Sequence, residues 1–175
     1  RKLGPLQLDL CGIAKGYAVD RMVEVLRRHG VAHALAALDG ELRALGSQAD
    51  GRPWPVAVES PQAGRRAVHG VVGMEDVAVA TSGDYRRFMR LGDLRLAHTI
   101  DSRRGAPVLN NIASVTVLAP TCMDADAWAT ALLVAGPERG LLLARRLGLD
   151  VLMLLRRGNG IAEVGLGRFG TVAGE

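Results

Sequence analysis

The chain has 175 residues, a formal net charge of +4, and a composition that is 49% hydrophobic but only 3% aromatic. That length suits one domain with a core built from Leu, Val and Ala. Its 22 basic residues are scattered or paired among 18 acidic ones, without a dense basic stripe interleaved with aromatics, so nucleic acid is not an expected partner. Cys11 and Cys122 form no Cys-x-x-Cys pair and no disulfide framework, and are expected to be small buried residues. No apolar run reaches membrane-spanning length. The opening RKLGPLQLDL lacks the apolar core of a signal peptide.

Leu6 to Leu10 alternates apolar and polar side chains, which predicts a half-buried strand. DLCGIAKGYAVD follows, with Gly12 and Gly16 around Lys15. A helix is predicted from Ala14 to His29, with Ala18, Met22, Val25 and Leu26 on its apolar face and Gly30 as its stop. Strands are predicted at His33–Leu38 and Glu41–Leu45, joined by an Asp39-Gly40 hairpin turn. Further strands are expected at Trp54–Glu59, Val68–Val72, Val77–Ala80, Leu94–Ile100 and Ile112–Ala119, with loops at 46–53 and 61–66. Two helices come next, one through Asp126 and Thr130 and one at Pro137–Leu147. Val151–Leu155 and Ile161–Leu166 close the chain as a hairpin around Gly158-Asn159-Gly160. Consecutive hairpins with helices between groups predict an α+β fold, a mostly antiparallel sheet with helices packed on it, in a single domain.

Four places carry residue types suited to chemistry. A strand, a small-residue turn and a helix N-terminus with Lys15 offer N–H groups and a charge to an anion, although a tight turn with one exposed lysine fits as well. The glycine spacing is neither a Rossmann fingerprint nor a Walker loop. Asp126 and Thr130 lie four apart on an alanine-rich helix, so a carboxylate and a hydroxyl face the same way. Both are oxygen donors suited to a hard cation such as Mg²⁺. The plainer alternative is an ordinary helix start capped by Thr121 or Asp124. Thr81, Ser82 and Gly83 follow a strand and suit either a close ligand approach or a turn, and Arg86 and Arg87 suit a solvated surface. In HTID, strand periodicity puts His98 with Ile100 on one face and Thr99 with Asp101 on the other; His98 and Asp101 are candidates for acid–base work.

DLCGIAKGYAVD, ALAALDGELRALG, VAVATSGDYRRF, HTIDSRRGAP and MDADAWATALLVAG occur in that order. Together they resemble the ApbE family, the FAD:protein FMN transferases. The resemblance implies an ApbE-like fold, FAD as substrate, Mg²⁺ as cofactor, and transfer of FMN to a threonine hydroxyl of an acceptor protein with release of AMP. It further implies that Asp9 and Lys15 contact FAD, that Ile100 lines the flavin site, and that the Gly12 carbonyl, Asp126 and Thr130 bind the metal. Thr81 and Ser82 are candidate cofactor contacts, and His98, ahead of Asp101, is the candidate base for the threonine hydroxyl.

Four departures stand out. Asp39-Gly40-Glu41 replaces two glycines and an aspartate, Cys11 replaces a small residue, Ser102 and Arg104 replace Pro and Thr, and Ala129 stands where some members carry a further aspartate. Family members run to nearly double this length, so the chain is expected to correspond to their C-terminal half. That leaves two functional classes: an FMN transferase, or a non-catalytic flavin-binding or interaction subunit. A second chain supplying the other half, or a homodimer, is the expected partner. Exported members sit outside the cytoplasmic membrane, so a periplasmic or outer-face location is implied by resemblance alone.

Overall fold

The computed structural model describes residues 4–5, 7–62, 67–85, 88–92, 94–158 and 160–170. In chain order the elements are α1 (Ala14–Arg28), β1 (Ala34–Leu38), β2 (Glu41–Leu45), β3 (Trp54–Glu59), β4 (Val68–Met74), β5 (Ala78–Gly83), β6 (Phe88–Leu91), β7 (Leu94–Ala97), β8 (Ile100–Asp101), β9 (Ala106–Pro107), β10 (Ile112–Ala119), α2 (Cys122–Ala135), α3 (Pro137–Leu147), β11 (Asp150–Arg157) and β12 (Gly160–Leu166). Six strands make the main sheet in the order β1-β2-β5-β10-β11-β12. Every pairing in it is antiparallel. The fold is therefore α+β with a mostly antiparallel sheet, as expected. Among the described residues no helix is long and apolar enough to cross a membrane.

The sheet is covered on both faces, and strand alternation decides which residue faces what. All eight residues of β10 are buried. Val115 and Val117 pack with Val151, Met153, Ala129, Leu132 and Leu133 on the helix side. Leu118, Val79 and Ala44 pack with Val56, Met74 and Val77 against the β3–β4 hairpin on the other side. The Asp39-Gly40 turn forms as predicted, with Leu38 opposite Glu41 and both turn residues at positive φ, 49° and 105°.

α2 buries Cys122, Ala125, Asp126, Ala129, Leu132 and Leu133, a stripe at helical spacing. Thr121 caps it, its side chain accepting the Asp124 N–H, so the capping expectation holds alongside the burial of Asp126. Gly136, at φ 82°, ends α2 and starts α3.

Several local expectations are corrected. Residues 7–10 form no strand, and Leu6 lies outside the described residues. Leu8 and Leu10 are 79% and 63% exposed; the alternation has no ladder partner, and the Leu10 carbonyl instead accepts the Ile13 and Ala14 N–H groups as the chain turns into α1. The buried face of α1 is Gly16, Val19 and Val23, while Met22 and Val25 face solvent. The helix is rotated by a close approach at Gly16, described below. Thr81, Ser82 and Gly83 lie within β5, paired with Thr116, Val115 and Ser114, because the long buried β10 holds a ladder partner along most of its length. The strand predicted at Leu94–Ile100 breaks after Ala97, because β7 pairs with β6 whereas β8 pairs with β9. His98 and Thr99 form the bend between them, so the predicted sharing of faces does not apply. Cys122 is buried, but Cys11 is exposed in the turn before α1. Arg86, Arg87, Asn159 and residues 63–66 lie outside the described residues.

Candidate active site

The site begins with two helices that approach closely enough to serve each other's ends. A Cβ on Gly16 would lie 2.3 Å from the Cys122 carbonyl oxygen and 2.8 Å from the Met123 Cα. Only glycine fits there, and the contact brings the first turn of α1 against the first turn of α2. The first N–H groups of a helix have no partner within it. Here each helix supplies a carboxylate for the other. The Gly16 N–H donates to Asp126 Oδ2 at 3.0 Å. The Cys122 and Met123 N–H groups donate to the two carboxylate oxygens of Asp20, each at 2.9 Å. Each negative charge also lies at the positive end of the partner helix. Asp20 is held in turn by Arg43 at 2.5 Å.

Gly12 extends this junction. A Cβ there would lie 3.0 Å from Thr130 Oγ1. Its absence lets the turn before α1 lie directly over Thr130. Thr130 Oγ1 also shares a hydrogen bond of 2.9 Å with Ser82 Oγ of β5. Asp126, Thr130, Gly12 and Ser82 are thus gathered at one place. Thr81 is not among them. It points to the opposite sheet face, where its hydroxyl bonds that of Thr116 at 2.8 Å.

Lys15 stands in the first turn of α1, with its side chain 39% exposed. Its ammonium donates to Glu41 Oε1 at 2.5 Å. Glu41 is 2% exposed, and its Oε2 is buried with no hydrogen-bond partner. Burial raises the Glu41 pKa; Lys15 opposes that shift and the Asp126 charge adds to it. Cys122, beneath the junction, is pushed up to about 12, first by burial and then by Asp20, Glu41 and Asp126, with Arg43 opposing. It is a packing thiol, not a nucleophile.

The remaining predicted residues lie on neighbouring segments. Asp9 is exposed and its Oδ1 accepts the Cys11 N–H at 2.7 Å; the Cys11 side chain first, and then that N–H, hold its carboxyl below the usual range. Ile100, 51% exposed, pairs with Pro107 in the short β8–β9 ribbon. His98 is exposed at the bend before that ribbon. The Asp101 carboxylate accepts the Arg103 N–H at 2.9 Å, and its carbonyl accepts from Arg104 and Gly105, so Asp101 builds the turn.

Asp20 and Glu41 are the participants that the sequence reading missed. Asp20 closes the DLCGIAKGYAVD motif one helical turn after Gly16, and that spacing was the available signal. Glu41 follows a hairpin turn, where an acidic residue ordinarily faces water.

A hard cation fits the gathered donors. They are a buried carboxylate, two hydroxyls and the backbone around Gly12, and the Asp126 charge also reaches Glu41, whose Oε2 is buried without a partner. Among the described residues no group of three or more His, Cys, Asp or Glu side chains is arranged to hold a metal ion, so a cation here would draw on hydroxyl and carbonyl oxygens as well.

These features define an α+β domain with a cluster of oxygen donors flanked by a lysine at a helix junction. A family model described as the ApbE family matches residues 1–153. The FAD:protein FMN transferase of Escherichia coli K12 is 38% identical over 159 residues, covering 91% of this chain and 45% of the relative. Among solved structures, the flavin transferase ApbE from Vibrio cholerae superposes with a TM-score of 0.83 at 38% identity, covering 94% of this chain and 52% of that one. The apo flavinyl transferase ApbE of Pseudomonas stutzeri gives 0.81 at 40% identity, covering 92% and 50%. The chain belongs to the ApbE family. It spans about half the length of the relatives it matches.

Proposed function

We propose that this chain carries the metal and phosphate end of an FAD:protein FMN transferase site. The observation that supports this reading most is the convergence of Gly12, Asp126, Thr130 and Lys15 at the α1–α2 junction. FAD is the substrate. A threonine oxygen of an acceptor protein attacks the phosphorus on the FMN side of the pyrophosphate. A new P–O bond forms, the bridging P–O bond breaks, and AMP leaves with the bridging oxygen. The threonine proton passes to a base.

Phosphoryl transfer of this kind depends on alignment and charge stabilisation more than on covalent help. Mg²⁺, held by Asp126, Thr130 and the Gly12 carbonyl, would neutralise phosphate charge there. Lys15 holds its ammonium in the first turn of α1, where it would add positive charge beside the phosphates. Ser82 fixes the Thr130 hydroxyl. Asp9 and Ile100 flank the flavin from neighbouring segments. His98 is the proposed base in preference to Asp101, whose carboxylate is already engaged in its turn.

A second reading rests on length. A chain that spans about half of its relatives also suits a flavin-binding or interaction subunit that meets another chain, or a second copy of itself, to complete the pocket. One assay separates the two. The 175-residue chain is mixed with FAD, Mg²⁺ and a threonine-bearing acceptor. Covalent flavin on the acceptor, with matching AMP, is the expected result, and His98→Ala is expected to slow it by about 100-fold. FAD binding with no transfer would favour the subunit reading; wild-type rates in His98→Ala would remove His98 as the base.

A further inference from the structure

Among the described residues, Glu41 is the acidic side chain at the helix junction that keeps a buried oxygen without a partner. It is 2% exposed, one carboxylate oxygen is used by Lys15, and the other is buried without a partner. A buried acceptor left unpaired is costly, and a buried charge more so. A bridging water would satisfy the hydrogen bond but not the charge. Around Cys122 and the α1 N-terminus, three carboxylates, those of Asp20, Glu41 and Asp126, face two cationic side chains, Arg43 and Lys15. Asp20 and Arg43 pair with each other. That leaves Glu41 and Asp126 with one ammonium near them: Glu41 is bonded by Lys15, and Asp126 accepts the N–H of the next residue, Gly16.

We propose that Glu41 is a determinant of cation affinity in this site: its second carboxylate oxygen and its uncompensated charge act with Asp126 to hold a divalent cation. The inference deepens the proposed function and rests on its placement of a cation at Asp126 and Thr130. It also assigns a role to a residue that otherwise reads as the salt-bridge partner of Lys15. Cation affinity in oxygen-donor sites is tuned by the number of ligand charges. The sequence carries Ala129, not a further acid, beside Asp126 on the helix, so the second charge comes from β2.

The test is a Mn²⁺ titration of the chain alone, without FAD, followed by the electron paramagnetic resonance signal of free Mn²⁺. Glu41→Gln keeps the side-chain shape and removes the charge. It is expected to weaken Mn²⁺ binding by about tenfold or more, while the thermal midpoint without metal stays near the wild-type value. Lys15→Met probes the same balance from the other side and serves if Glu41→Gln does not fold. Removing the like charge is expected to tighten Mn²⁺ binding by about threefold or more. Unchanged affinity in Glu41→Gln, or unchanged or weaker affinity in Lys15→Met, overturns the inference while the wild-type chain still binds Mn²⁺. A wild-type chain that binds no Mn²⁺ overturns the cation reading itself, and the inference with it.

Discussion

Gly16→Ala is expected to destabilise the protein by about 2–3 kcal/mol, opposite in sign to the usual gain for alanine in a helix. Elsewhere in a helix the change would stabilise by about 1 kcal/mol. Here the new methyl would stand 2.3 Å from the Cys122 carbonyl oxygen and 2.6 Å from its carbonyl carbon. Those are backbone atoms at the start of α2 and cannot rotate away. The helices would have to separate, stretching the Gly16–Asp126 bond and both bonds from Asp20. Chemical denaturation measures the change. The variant is also expected to bind Mn²⁺ more weakly, since Gly12 rides with α1 and Thr130 with α2. A variant as stable as wild type, or more so, would contradict the close contact on which the site's geometry depends.

Asp126→Asn is expected to separate the two roles of Asp126. The amide oxygen can still accept the Gly16 N–H, so stability should change by no more than about 1 kcal/mol. The charge is gone, so cation binding and flavin transfer should both fall, transfer by about 100-fold or more. Asp126→Ala is the less informative change. It leaves the buried Gly16 N–H without an acceptor, at a cost of about 1–3 kcal/mol, and mixes folding with function. Thermal unfolding and the transfer assay, run on both variants, distinguish these effects. If Asp126→Asn transfers flavin at the wild-type rate, Asp126 is only a helix cap.

Much of the fold was legible because its signals are local. Asp39-Gly40 dictates a tight hairpin, Pro137 opens α3 at the first permitted position, and the β-branched run of β10 reads as a strand with its observed bounds, Ile112 to Ala119. Errors arose where a tertiary contact overrode a local pattern. The alternation in residues 7–10 resembles a strand but meets no partner. The face of α1 was misjudged because Met22 and Val25 are more apolar than Gly16, yet it is Gly16 that allows the backbones to touch. No hydropathy pattern carries that information.

The site was legible in the same uneven way. Four-residue spacing put Asp126 and Thr130 together, and the structure adds Gly12 and Ser82 to them. Thr81 and Ser82 read as a pair in the sequence because they are adjacent, but adjacency within a strand places side chains on opposite faces. Asp20 and Glu41 escaped notice because acidic residues ordinarily face solvent. Their positions depend on partners 102 residues away for Asp20 and 26 residues away for Glu41, and no local pattern encodes such separations.

The proposed divalent cation sits where the turn before α1 meets α2. Anomalous diffraction from crystals of the chain grown with Mn²⁺ tests it most directly. One strong peak is expected among the Gly12 carbonyl, the Asp126 carboxylate and the Thr130 hydroxyl. A peak elsewhere, or none there at Mn²⁺ concentrations that saturate binding in solution, would contradict it.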